Sequence, residues 1–236
     1  MDKPLTSPPS LQLFLTQLNK KFGKYIILRG YEYLPNSYTN DIDVYIPKED
    51  LRRFFQCINN LEGIDSKLVI LVSRFGLIKC ELFLEDEIIP FDIMYGFYYA
   101  GLEYQDCSQL FLNSKKHSCG LFFIPDISDE TRISLLKELL HNGRIRSDKA
   151  NHILNNMEIC HDRLSVDFFH SEDIKNVRMA IIKKEYYLPK LAQNLKINIL
   201  GNNMRKNSLI TLKNILMFVI VKYILKNKYH LRIIDL

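Results

Sequence analysis

With 236 residues the chain can form one large domain or two small ones around a real core, and its 47% hydrophobic content is ordinary for a globular protein. A net charge of +5, with no basic stripe interleaved with aromatics, argues against nucleic acid as a partner. Five cysteines (Cys57, Cys80, Cys107, Cys119 and Cys160), odd in number and without a C-x-x-C, argue against a disulfide framework or a zinc site and for a reducing, cytoplasmic setting.

Residues 1–10 read as a flexible lead-in with Pro4, Pro8 and Pro9, and they lack the apolar core of a signal peptide. Ser10 is placed to cap a helix from Leu11 that stops near Gly23. A strand over Tyr25–Leu28 runs into Arg29-Gly30, and a loop of turn formers leads to a second strand over Asp41–Ile46, closed by Pro47. Lys48–Asn60 is amphipathic, with Leu51, Phe54, Phe55 and Ile58 on one helical face. The period then changes to that of strands: 67–74, a Phe75-Gly76 hairpin turn, 77–84, a polar turn, and 88–95. Shorter strands are expected near 97–100 and 120–124. The order predicts an α+β fold, a mixed sheet with helices on one side.

Beyond Pro125 the pattern is helical, which predicts two domains, an α+β domain over 1–125 and a helical domain over 126–236. Ser128 to Thr131 reads as a capping start, Asn142-Gly143 as a break and Ser147 as the next start. Two more helices are expected over 160–200, one ending near Pro189, and a last one over Leu209–Asn227. That last helix is apolar but broken by Lys213 and Lys222, so it falls short of the roughly 18–20 uncharged residues of a membrane span. It reads as a buried core helix or a homodimer helix, with peripheral contact to an anionic membrane as the alternative. Charge is uneven: residues 1–120 hold 13 Lys+Arg against 15 Asp+Glu (−2), and residues 121–236 hold 19 against 12 (+7). Either the basic half forms a phosphate-binding wall or its helices are simply solvated.

Asp41 and Asp43 stand two apart at a strand start, so both point to one face with Tyr45, while Ile42, Val44 and Ile46 point to the core. Two such carboxylates repel unless a cation lies between them, and oxygen ligands of this kind suit Mg²⁺, with Mn²⁺ as the alternative. Asp92, inside the apolar run Ile88–Tyr95, is costly to bury without a partner. Its partner is either the same metal or a basic side chain such as Lys79 or Arg74; Glu81 is a rival third carboxylate. The six histidines are scattered, without zinc-ligand spacing, and Phe97, Tyr98, Tyr99 and Tyr104 fit sheet packing better than base stacking.

Taken together, Leu28-Arg29-Gly30, then Asp41-Ile42-Asp43-Val44, then Asp92 resemble the signature of the nucleotidyltransferase fold of the DNA polymerase β superfamily. The stretches 28–35 and 40–43 look like a narrower bacterial subgroup that accompanies surface-polysaccharide genes. The resemblance covers about residues 20–150. It implies a nucleotidyltransferase-like mixed sheet with flanking helices. It also implies transfer of a nucleoside monophosphate from a nucleoside triphosphate to a hydroxyl of a small molecule or glycan. In that reading Asp41, Asp43 and Asp92 are catalytic and hold the metal. Arg29, Gly30, Tyr31, Asn40 and Lys137 would bind the nucleotide, with Arg144 and Arg146 as further basic candidates. The family's usual Ser after the glycine is Tyr31 here, which leaves two readings: altered phosphate binding through Arg29 and backbone N–H groups, or a catalytically degenerate protein acting as a binding partner, antitoxin-like or scaffold.

Overall fold

A computed structural model describes residues 5–6, 9–38, 41–85, 87–157 and 169–220. These fall into two compact units, one holding residues up to Gly96 with Cys107–Pro125, the other Phe97–Asp106 with Asp126–Ile220.

The first unit is built on a mixed seven-stranded sheet. Helix α1 (Pro9–Lys21) follows a short strand, β1 (Leu5–Thr6), and leads into β2 (Ile26–Arg29). A loop carrying β3 (Ser37–Tyr38) connects to β4 (Ile42–Tyr45). After a single 3₁₀ turn comes α2 (Leu51–Ile58), then the long meander β5 (Ser66–Arg74), β6 (Leu77–Leu84) and β7 (Glu87–Met94). Strand β4 pairs in parallel with β7 and antiparallel with β2, which puts β4 and β7 near the middle of the sheet.

Alternation sets the faces. On β6, Ile78, Cys80, Leu82 and Leu84 are buried while Leu77, Lys79, Glu81 and Phe83 are half-buried. The inward set joins Ile42 and Val44 of β4 and Phe91 and Ile93 of β7 in one core. Helices α1 and α2 cover that face with Leu11, Phe14, Leu15, Leu18, Phe54 and Ile58. Phe91 lies at the centre, edge-on to Phe14 (6.2 Å) and stacked on Phe54 (6.4 Å). Because the side-chain period is two, burying Phe91 and Ile93 obliges Asp92 to face the other way.

The expectation of helices on one side needs correcting. A helix that the sequence reading passed over, α3 (Cys107–Asn113), lies on the opposite side, where Phe111 meets Tyr45 at 5.5 Å. Strands β10 (Lys115–Lys116) and β11 (Phe123–Ile124) then close the β2 edge.

In the second unit, α4 (Ile127–Lys137) runs into a π-helical turn, and α5 (Ser147–Met157) and α6 (Ser171–Ile182) follow. The cap of α4 is Asp126, whose carboxylate accepts from the Ser128 N–H at 3.0 Å, two residues ahead of the expected capping start. Pro189 opens a helix rather than closing one: α7 runs Pro189–Val219, with proline in the first turn, where its missing N–H costs nothing. Asn207 kinks α7, leaving helical geometry while its side chain accepts from the Ile210 N–H at 3.0 Å. Over Leu209–Val219 the expected last helix is therefore the continuation of α7, and residues 221–227 of that expectation lie outside the described residues. It is not a core helix within the described residues, because Leu209 is 78% and Leu216 59% exposed.

The hairpin of β8 (Phe97–Tyr99) and β9 (Leu102–Gln105) belongs to this unit. Its turn runs so close to α7 that a Cβ on Gly101 would stand 2.6 Å from the Asn214 carbonyl oxygen. Asn203 of α7 bonds both the N–H and the C=O of Glu103, at 3.1 and 2.9 Å. Phe97 and Tyr104 are buried against each other, in line with a packing role for these aromatics.

Candidate metal centre

Strand register assembles the site. Arg29 of β2 pairs with Asp43 of β4, Asp43 with Asp92 of β7, and Asp92 with Lys79 of β6. One row across four strands therefore reads cation, anion, anion, cation. Asp41 joins it from just before β4, and the three aspartates bring one carboxylate oxygen each to within 4.8 Å of one another. Asp43 and Asp92 are buried and Asp41 is half-buried. Glu81, the rival third carboxylate, lies opposite Pro90 and is not in the cluster.

Like charges this close must be offset. Arg29 spans the first pair: its Nε donates to Asp43 Oδ2 and its Nη2 to Asp41 Oδ2, the latter at 3.2 Å. Lys79 Nζ donates to Asp92 Oδ2 at 2.9 Å. Burial works against the Arg29 charge, but the carboxylates of Asp43, Asp41 and Asp92 outweigh it, and its pKa lies above the ordinary value. Burial and the neighbouring Asp43 charge push the Asp41 carboxyl up, with Arg29 only partly opposing them.

The donor set fits a hard divalent cation. It consists of carboxylate oxygens alone, the ligand type that Mg²⁺ and Mn²⁺ take. The triad could hold a metal ion.

Of the expected nucleotide contacts, Arg29, Gly30 and Tyr31 belong to the first unit and Lys137 to the second. Gly30 follows Arg29 directly and has φ +69°, a left-handed turn that only glycine adopts freely. Tyr31 is half-buried against the core, with its ring 6.2 Å from His117, itself stacked on Phe122 at 4.7 Å. Lys137 ends α4 in the helical unit, as Arg144 and Arg146 follow it there; Arg146 is tied to Glu138 at 2.9 Å. Asn40 lies outside the described residues. Sequence reasoning named Lys79 only as a rival partner for Asp92, and the available signal was its odd-numbered place on the alternating strand β6, on the same face as Asp92.

No family model matches the chain, and no curated protein does. One solved structure similar to it is the crystal structure of an antigenic nucleotidyltransferase-like protein from Paracoccidioides brasiliensis, at 17% identity and a TM-score of 0.44, covering 82% of this chain and 95% of that one. That likeness is too slight to argue from, and the functional reading rests on the carboxylates.

Proposed function

We propose that this protein is a metal-dependent nucleotidyltransferase that moves a nucleoside monophosphate from a nucleoside triphosphate to a hydroxyl of a small molecule or glycan. The observation that supports it is the convergence of Asp41, Asp43 and Asp92 on one sheet face. Those three would hold Mg²⁺, or Mn²⁺ in its place. When bound, the ion supplies charge for the triphosphate and acidifies the acceptor hydroxyl. In this reading Asp92 completes the site and would receive the hydroxyl proton. The Gly30 turn offers backbone N–H groups to phosphate, which Tyr31 cannot replace as a serine would. Arg29 offsets the Asp41 and Asp43 charges. The odd number of cysteines without a C-x-x-C suits a reducing compartment.

A thermal-shift screen of nucleoside triphosphates with Mg²⁺ tests this, because a ligand of the folded state alone raises the melting temperature, by about 2.7 kcal/mol of stability at 100 times its Kd. One nucleotide should stabilise the protein, and chelation should cancel the effect. Replacing Asp41 and Asp43 together by alanine should remove it. A folded double variant that binds Mg²⁺–ATP as well as the wild type would overturn the reading.

A second reading, a non-catalytic binding partner of antitoxin-like or scaffold type, is favoured by Arg29 filling the gap between Asp41 and Asp43. It predicts no pyrophosphate release with any nucleotide and a stable hetero-complex on pull-down. The exposed apolar residues of α7 from Leu209 onward suit a homodimer contact, which light scattering would detect.

A further inference from the structure

We propose that Lys79 stands in for one of the two divalent cations that nucleotidyl transfer ordinarily uses, so that this site takes a single divalent ion on Asp41, Asp43 and Asp92. The inference rests on the nucleotidyltransferase reading and deepens it.

Its ground is the cross-strand row. Lys79 and Asp92 are direct partners in the antiparallel β6–β7 pair, and such partners hold their Cβ atoms about 4.5–5.5 Å apart. The ammonium is thus set beside Asp92 by backbone register, inside the paired length of the β6–β7 hairpin. The Nζ–Oδ2 distance of 2.9 Å is a full charge-assisted hydrogen bond. Asp92 Oδ2 is then engaged, and a divalent ion using it would meet the ammonium at close range.

Charge balance points the same way. The three carboxylates face two resident cations, a formal sum of −1. One divalent ion takes the centre to +1, suited to a triphosphate. Two would take it to +3 within a space where paired metal ions stand roughly 3.5–4 Å apart. Arg29 cannot play the same part, since its hydrogen bonds are committed to Asp41 and Asp43 together. Lys79 is accordingly a positioning residue. It fixes the Asp92 carboxylate and replaces a charge, while one face of its side chain, 42% exposed, opens to solvent and to an arriving ligand.

Counting bound Mn²⁺ on the full chain by electron paramagnetic resonance, with the metal alone as probe, tests this. The wild type and Lys79→Arg should each bind one ion, and Lys79→Met should bind two. Lys79→Gln, similar in polarity and milder for folding, should also bind two, and circular dichroism melts check that each variant is folded. Two ions on the wild type, or one on both folded Lys79→Met and Lys79→Gln, would overturn the role given to Lys79 and leave the nucleotidyltransferase reading standing. A wild type that binds no Mn²⁺ would overturn both.

Discussion

Asp43 and Asp92, 49 positions apart in the chain, are partners in the parallel pair of β4 and β7, both on the face turned away from the core. Parallel pairing requires a crossover, and α2 with the β5–β6 hairpin supplies it. The acidic centre is therefore a property of sheet topology, and its stability and chemistry can be tested separately.

Arg29 is the resident counter-charge of Asp41 and Asp43. Arg29→Met leaves two close carboxylates unneutralised, and it should lower stability by about 1–2 kcal/mol, discounted for the partial exposure of the guanidinium. Added Mg²⁺ should restore more stability to this variant than to the wild type. Differential scanning calorimetry with and without Mg²⁺ reads both effects, and an equal Mg²⁺ response in the two proteins contradicts the assignment.

Asp41 has a folded-state pKa raised by burial and by Asp43. The sign follows: a group raised on folding favours the folded state while protonated, and that contribution is lost as pH rises through the folded value. The metal-free protein should therefore lose stability as pH climbs above the ordinary aspartate range near about 4. Asp41→Asn should flatten that loss. Metal affinity should move the opposite way, weakening on acidification at a pH above that range. Melts across pH, with and without Mn²⁺, check both slopes.

Phe91 anchors the core between α1 and α2, fully buried against Phe14 and Phe54. Phe91→Ala should cost about 3–5 kcal/mol in urea unfolding. Its neighbour Asp92 would lose its fixed position as the strand relaxes, so metal affinity should fall with it. A folded variant with unchanged affinity would show that core packing does not position the site.

Cys80 lies on the buried face of β6, where burial and the nearby Asp92 charge push its thiol up to about 12. Cys119 is exposed, 3.1 Å from His117 Nδ1. Thiol labelling followed by peptide mass spectrometry should modify Cys119 first and Cys80 only on unfolding.

Much of this protein was legible in local pattern. The two-residue period of β6 and the i, i+4 spacing of Phe54 and Ile58 assigned faces without any knowledge of neighbours, because both are consequences of backbone geometry. The same rule put Asp41 and Asp43 with Tyr45 and turned Asp92 from the core. Signals that depend on a partner were not readable. Helix α3 is short, and what holds it is Phe111 against Tyr45, a contact 66 residues distant in sequence. Pro189 stops or starts a helix according to what packs after it, and an apolar run such as Leu209–Val219 carries no mark of whether another surface will cover it. The choice of Lys79 as the cation beside Asp92 was likewise a matter of register. The alternation of each strand is set by its own residues. Which residue stands opposite another is set only when the strands pair, and it was that pairing that turned three scattered aspartates and two basic side chains into one charged row.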